Sequence, residues 1–198
     1  MKKILFVSKF FSGFETSIIN KEFKPTGAPT AYKLIEKLDI KYNLKLILTS
    51  KNDLEDNSLN FFKKLRILGL KNDILILGSF NFKIFKKFNN LLRELIHLIF
   101  ILYQLLIWKP NIIYCGNANI ISAAFIARFF KTKVIFRVMG VYETMRSYHY
   151  NKSFRNKFYL WCYASKFDLI ICTQDGSGIE DWIQRTVNKK TKCYKLIN

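Results

Sequence analysis

The chain is poor in acid. Of its 198 residues only 14 are Asp or Glu, against 33 Lys or Arg, and the net charge is +19. Such a surplus favours acidic partners: nucleic acid, anionic lipid headgroups or phosphorylated substrates. A diffuse solvated charge explains it as well, because Lys, Asn, Ile and Phe are abundant together. Histidine and cysteine are scarce. His97 and His149 are isolated, and Cys115, Cys162, Cys172 and Cys193 form no CxxC pair, which excludes a clustered zinc site. Cys115 and Cys172 lie within apolar strand runs, where Cys acts as a small hydrophobe. Reduced thiols fit a cytoplasmic protein. No apolar run reaches the roughly 20 residues of a spanning helix. The longest, residues 95–108, is interrupted by His97 and Gln104 and reads as a buried or interfacial helix. Lys2-Lys3 followed by residues 4–7 is too short for an export signal. No Ser/His/Asp set, P-loop or metal motif is present, so catalytic residues stay unassigned. With 50% hydrophobic residues, disorder is excluded and a real core is expected.

What is present is alternation. Residues 109–140, KPNIIYCGNANIISAAFIARFFKTKVIFRVMG, read as strand, helix, strand with Gly-containing turns. The same rhythm runs along the chain. Strands are expected at 3–8, 44–49, 73–77, 111–115, 134–138, 168–172 and 192–197. Helices are expected at 27–38, 59–68, 86–108, 120–130, 142–165 and 176–185, with a long loop at 9–26. In the 86–108 helix, Arg93, His97, Gln104 and Trp108 form one narrow polar stripe, which implies a mostly covered helix. The expected fold is a single α/β domain over 1–198, with a Rossmann-like parallel sheet and helices on both faces. Ligands then belong at the carboxyl edge of the sheet.

Candidate binding residues follow from that edge. Thr26 and Gly27 open a helix whose free N–H groups can take a phosphate or sugar oxygen; they also read as a plain helix start ahead of Pro29. Gly116 and Asn117 end the fourth expected strand, as a ligand turn or as a turn with an Asn cap. Should strand order reverse between the first and fourth strands, they face the Gly27 loop across a crevice. Met139 and Gly140 leave the fifth expected strand. Glu143 beyond them can hold a sugar hydroxyl or complement the next helix N-terminus. Asp175 can face a cleft or cap a helix. Residues 80–88, FNFKIFKKF, interleave aromatics with lysines. Phe82, Lys83, Phe85, Lys86 and Lys87 suit an anionic membrane, a solvated basic turn, or nucleic acid.

Taken in order, PTGAPTAYKLIEKL (25–38), the 109–140 unit, and SKFDLIICTQDGSGIEDWI (165–183) with CYKLIN (193–198) resemble the N-terminal domain of GT-B glycosyltransferases of family 4. The resemblance covers essentially the whole chain. It implies sugar transfer from a nucleotide-sugar with retained anomeric configuration. The N-terminal domain would hold the acceptor, often a lipid-linked or cell-envelope glycan. A C-terminal domain would hold the nucleotide and a paired-Glu motif. On this basis Thr26, Gly27, Gly116, Asn117, Met139, Gly140, Glu143 and Asp175 are substrate-binding candidates. Thr26 replaces the family's first loop glycine, and Met139 replaces its frequent His, whose hydrogen bonds a thioether cannot supply. Asn198 aligns with the Asn that precedes the interdomain linker, so the C-terminal domain is expected to be absent.

The expected function is therefore the acceptor-binding half of a hexosyl-transferring enzyme of cell-envelope polysaccharide biosynthesis, inactive alone. It would be cytoplasmic and peripheral on the inner face of the plasma membrane. The alternative is a non-catalytic membrane-associated module, or a subunit of a split enzyme with a C-terminal-domain partner chain. No cofactor is implied beyond the nucleotide-sugar, which is a donor substrate, and nucleic acid is not the expected partner.

Overall fold

The computed structural model describes residues 1–11, 13–27, 29–50, 62–78, 89–174 and 176–197. It forms two compact units, Met1–Asn111 and Ile112–Asn198. Among the described residues there are eight strands, mostly parallel, and seven α-helices, which is a Rossmann-like α/β fold.

In the first unit, β1 (Lys3–Lys9) buries Ile4, Leu5, Phe6 and Val7 in succession, as a central parallel strand must. It pairs in parallel with β2 (Asn43–Thr49), with Lys3 opposite Asn43. The helix expected at 59–68 is absent from its described part, 62–68, where Phe62–Leu65 form β3, antiparallel to β4 (Ile74–Leu77). Its residues alternate between exposed and half-buried, and Lys64 meets Asp73 across the pair at 2.9 Å. Cross-strand pairing thus overrides the apolar spacing that suggested a helix. Strand β4 pairs in parallel with β2, and the order is β3-β4-β2-β1.

The loop expected at 9–26 contains a helix, α1 (Phe14–Asn20). Buried Phe14 holds it, edge-on to Phe10, Phe11 and Phe23. Helix α2 (Pro29–Lys41) begins on proline, whose missing N–H costs nothing at a helix start. Helix α3 (Asn89–Trp108) departs most from expectation. Its covered side mixes apolar Leu98, Ile101 and Leu105 with polar residues. Arg93 and His97 are buried, whereas Leu92, Leu95, Ile99, Tyr103, Leu106 and Ile107 are exposed.

In the second unit, β5 (Ile112–Gly116), β6 (Lys133–Val138), β7 (Leu169–Gln174) and β8 (Lys192–Ile197) lie in chain order, all parallel. Helix α4 (Ile120–Phe129) links β5 to β6, and α7 (Ile179–Thr186) links β7 to β8. Between β6 and β7 stand two helices, α5 (Glu143–Tyr150) and α6 (Phe154–Tyr163), in place of the single one expected. Asn151 and Ser153 make the break. Asn151 Oδ1 accepts from the Ser153 N–H at 3.1 Å, and Ser153 Oγ caps α6 through the Asn156 N–H at 3.3 Å. Phe136 stacks on Phe167 at 4.9 Å and meets Tyr163 at 6.1 Å, forming the aromatic core. Because the strands are parallel, the loops leaving β5, β6 and β7 share one edge of this unit.

Candidate functional site

In the first unit, Thr26 and Gly27 sit directly ahead of α2, whose first N–H groups lack partners inside the helix. A residue that sequence reasoning missed, Gly13, places them. Gly13 has φ +83°, and a Cβ there would strike the Gly27 nitrogen and stand 2.8 Å from Thr26 Oγ1. The Gly13 carbonyl accepts from the Thr26 N–H at 3.2 Å and from Thr16 Oγ1 at 2.7 Å. Further bonds fold the 22–27 segment over α1: the Lys24 N–H donates to Ser17 Oγ at 3.1 Å. Only a glycine at 13 lets the two segments touch.

The remaining described candidates lie in the second unit. Gly116 is extended (φ −76°), so its backbone does not demand glycine. Asn117 is occupied at both ends. Its Oδ1 accepts from the Tyr163 hydroxyl at 2.8 Å, and its Nδ2 contacts Met145 Sδ at 3.4 Å. Burial pushes the Tyr163 hydroxyl well above its ordinary range, so it remains the donor. Asn117 thereby ties α5 and α6 to the end of β5. Met139 is half exposed, and Gly140 turns the chain at φ +92°. Glu143 is exposed in the first turn of α5, where a carboxylate complements the helix dipole. Asp175 lies outside the described residues, as do Phe82, Lys83, Phe85, Lys86 and Lys87.

The loops after β6 and β7 meet at Ser177. Its Oγ accepts from the Val141 N–H at 2.9 Å, and its carbonyl accepts from Arg146 Nη2 at 2.6 Å. Further along, Trp182 Nε1 donates to the Met145 carbonyl at 3.4 Å, and His149 Nε2 lies 2.8 Å from Thr186 Oγ1. These contacts join α5 to α7. Between them opens a cavity of about 470 Å³, lined by Arg146, His149, Tyr150, residues 176–178, Asp181, Trp182 and Arg185. Two guanidiniums and one carboxylate line it. Arg presents a rigid fork of donors that matches a phosphate or carboxylate group, so the cavity suits an anionic, hydroxyl-bearing ligand, with Asp181 available to accept from hydroxyls.

Sequence reasoning did not find Arg146, His149 or Arg185. The available signal was spacing: 146, 149 and 150 share a face of α5, and 178, 181, 182 and 185 share a face of α7. The thiols offer no nucleophile in this unit's core. Cys115 is buried and pushed up to about 12, and burial also raises Cys172. Among the described residues no cluster of His, Cys, Asp or Glu is placed to hold a metal ion.

No protein-family model matches the chain, and no curated protein sequence does. Among solved structures the chain is similar to sucrose-phosphate synthase from Thermosynechococcus elongatus, with a TM-score of 0.58 at 8% identity. The match covers 100% of this chain and 48% of that protein, so the chain spans about half its length. At this identity the likeness establishes the fold alone.

Proposed function

We propose that this chain supplies the acceptor-binding half of a glycosyltransferase. The enzyme would be a retaining, family 4-like transferase that moves a hexosyl group from a nucleotide-sugar to a glycan or lipid-linked acceptor of the cell envelope. It would work on the inner face of the plasma membrane. The observation that carries the reading is the arginine-lined cavity beside the loops after β6 and β7, in a chain with a glycosyltransferase-like fold. Arg146 and Arg185 hold an acidic group of the acceptor, Asp181 accepts from its hydroxyls, and the 139–143 loop borders the reacting end. The nucleotide-sugar is bound mainly by a second domain or partner chain. The protein's share of catalysis is then alignment, which removes orientational entropy from the transfer step.

The test is to co-express the chain with a donor-binding half and measure release of the nucleoside diphosphate. Losing one charged hydrogen bond to the acceptor is worth about 1.5–3 kcal/mol. Arg185→Gln should therefore lower kcat/KM by roughly 10- to 100-fold. Unchanged turnover in that variant would remove the cavity from the acceptor site. Stable lipid binding without turnover in any pairing would assign the chain to the non-catalytic module instead.

A further inference from the structure

Helix α3 is apolar on two sides: it buries Leu98, Ile101 and Leu105 and leaves a second apolar face exposed, a feature that belongs to neither loop site. At 100° per residue, Leu92, Leu95, Ile99, Tyr103, Leu106 and Ile107 fall within an arc of about 120°. Ile99, Leu106 and Ile107 are each more than 60% exposed, and the arc contains no charged residue. Phe62 of β3, itself exposed, stacks on Phe100 at 5.5 Å and widens the apolar face. The inward orientation of the polar stripe is specific rather than a slip of rotation. His97 Nε2 lies 2.7 Å from the Gly78 carbonyl, and Gln104 Oε1 accepts from Lys45 Nζ at 3.0 Å. Rotating α3 to hide its apolar arc would break both contacts.

We propose that the outward face of α3 docks on an anionic lipid surface. A contiguous apolar face of this size on a folded protein marks an interaction site. The occupant follows from charge. The chain carries +19, so a second copy would bring the same charge against it. Cations flank the arc on one side: exposed Lys64 shares a face of β3 with Phe62, and Lys3 and Lys45 lie along the polar stripe beyond Phe100. Lys3 and Lys45 stand 5.9 and 5.1 Å from the Trp108 ring, and Lys109 follows it, exposed. Lys64 is near enough to Lys45 to help depress its ammonium pKa, after burial. The one carboxylate in that group, Asp73, is already held by Lys64 and Arg66. An apolar face bordered by cations is the composition that settles a helix into the headgroup boundary of an acidic bilayer. Among the described residues no helix is long and apolar enough to cross a membrane, so α3 would lie in the plane of the interface. This gives a physical surface to the membrane-side location proposed above. It is tested without sugar transfer, so either idea can fail alone.

The experiment is flotation of the whole chain with phosphatidylcholine vesicles, with and without one-third phosphatidylglycerol (about 30% anionic lipid). The chain should float with the anionic vesicles. The Ile99→Glu/Leu106→Glu double variant should bind on the order of tenfold less. A milder Ile99→Gln/Leu106→Gln pair, checked by circular dichroism and melting midpoint, separates lost docking from lost folding and should also bind less. Equal flotation of wild type and both variants would overturn the proposal, since charge elsewhere would then suffice. So would a wild-type chain that ignores both vesicles and runs as a dimer that Ile99→Glu dissociates, because the occupant would then be a second copy.

Discussion

Helices α3 and α7 both bury apolar residues, yet they show different faces to water. Helix α7 buries Ile179 and Trp182 and exposes Glu180, Asp181 and Arg185. Helix α3 buries Arg93 and His97 beside Ile101 and Leu105, and exposes six large apolar side chains. Periodicity states which residues share a face. It does not state which face looks inward. That is decided by what waits beneath: Tyr163 for Trp182, at 4.7 Å, and the Gly78 carbonyl for His97. The outward faces then serve different ends. That of α7 borders a charged cavity, whereas that of α3 is apolar and exposed.

The contrast can be broken first at the inward faces. Trp182→Ala removes the edge-on contact with Tyr163 and a buried indole, and should cost about 3–5 kcal/mol of unfolding free energy in urea titration. Ile101→Ala, on the covered side of α3, should cost about 2–5 kcal/mol by the same measure. If the α3 value fell below about 1 kcal/mol, its inward face would not be a packed one.

A second test uses pH. Burial holds the His97 imidazole below its ordinary value of 6.5; the Gly78 carbonyl opposes this shift and Arg93 adds to it. The unfolded chain then takes up the proton more readily than the folded one. The His97 contribution is therefore complete above the unfolded value and is lost as pH falls from there toward the depressed folded value. Between about pH 7 and pH 5 the wild-type melting midpoint should fall further than that of His97→Gln, which lacks this buried imidazole. Parallel falls would mean that His97 is not held neutral by its surroundings.

The smallest effect is expected on the outward face of α3. Ile99→Gln should change stability by no more than about 0.5 kcal/mol. A loss above about 2 kcal/mol would show that the free protein covers this face itself, and the contrast with α7 would disappear.

Much of the fold was legible. The seven expected strands were found within one or two residues, because parallel core strands such as KILFVS and DILIL are short β-branched or apolar runs with turns at their ends, whereas β3 stands where the apolar spacing suggests a helix. What went unread has physical causes. Helix α1 depends on Phe14 packing among three other phenylalanines, two of them close in sequence but arranged only by the fold. The break between α5 and α6 rests on two side-chain caps in a stretch with no proline or glycine. At the candidate site, Gly116, Asn117, Met139 and Gly140 stand at the strand-end turns where parallel topology places them. Arg146 and Arg185 looked like two more charges in a basic chain, and reading 142–165 as one helix concealed their common cavity.

By itself, then, the sequence determined the alternation of strand and helix, the parallel class of fold and the turns that end its strands. Each of these is written in local periods and local turn chemistry. Only the tertiary structure decided that Gly13 must be bare for Gly27 to approach, that Arg146 and Arg185 line one cavity, and that α3 shows its apolar side. Those outcomes are contacts between residues far apart along the chain, and local patterning leaves their orientation undetermined until the partners meet.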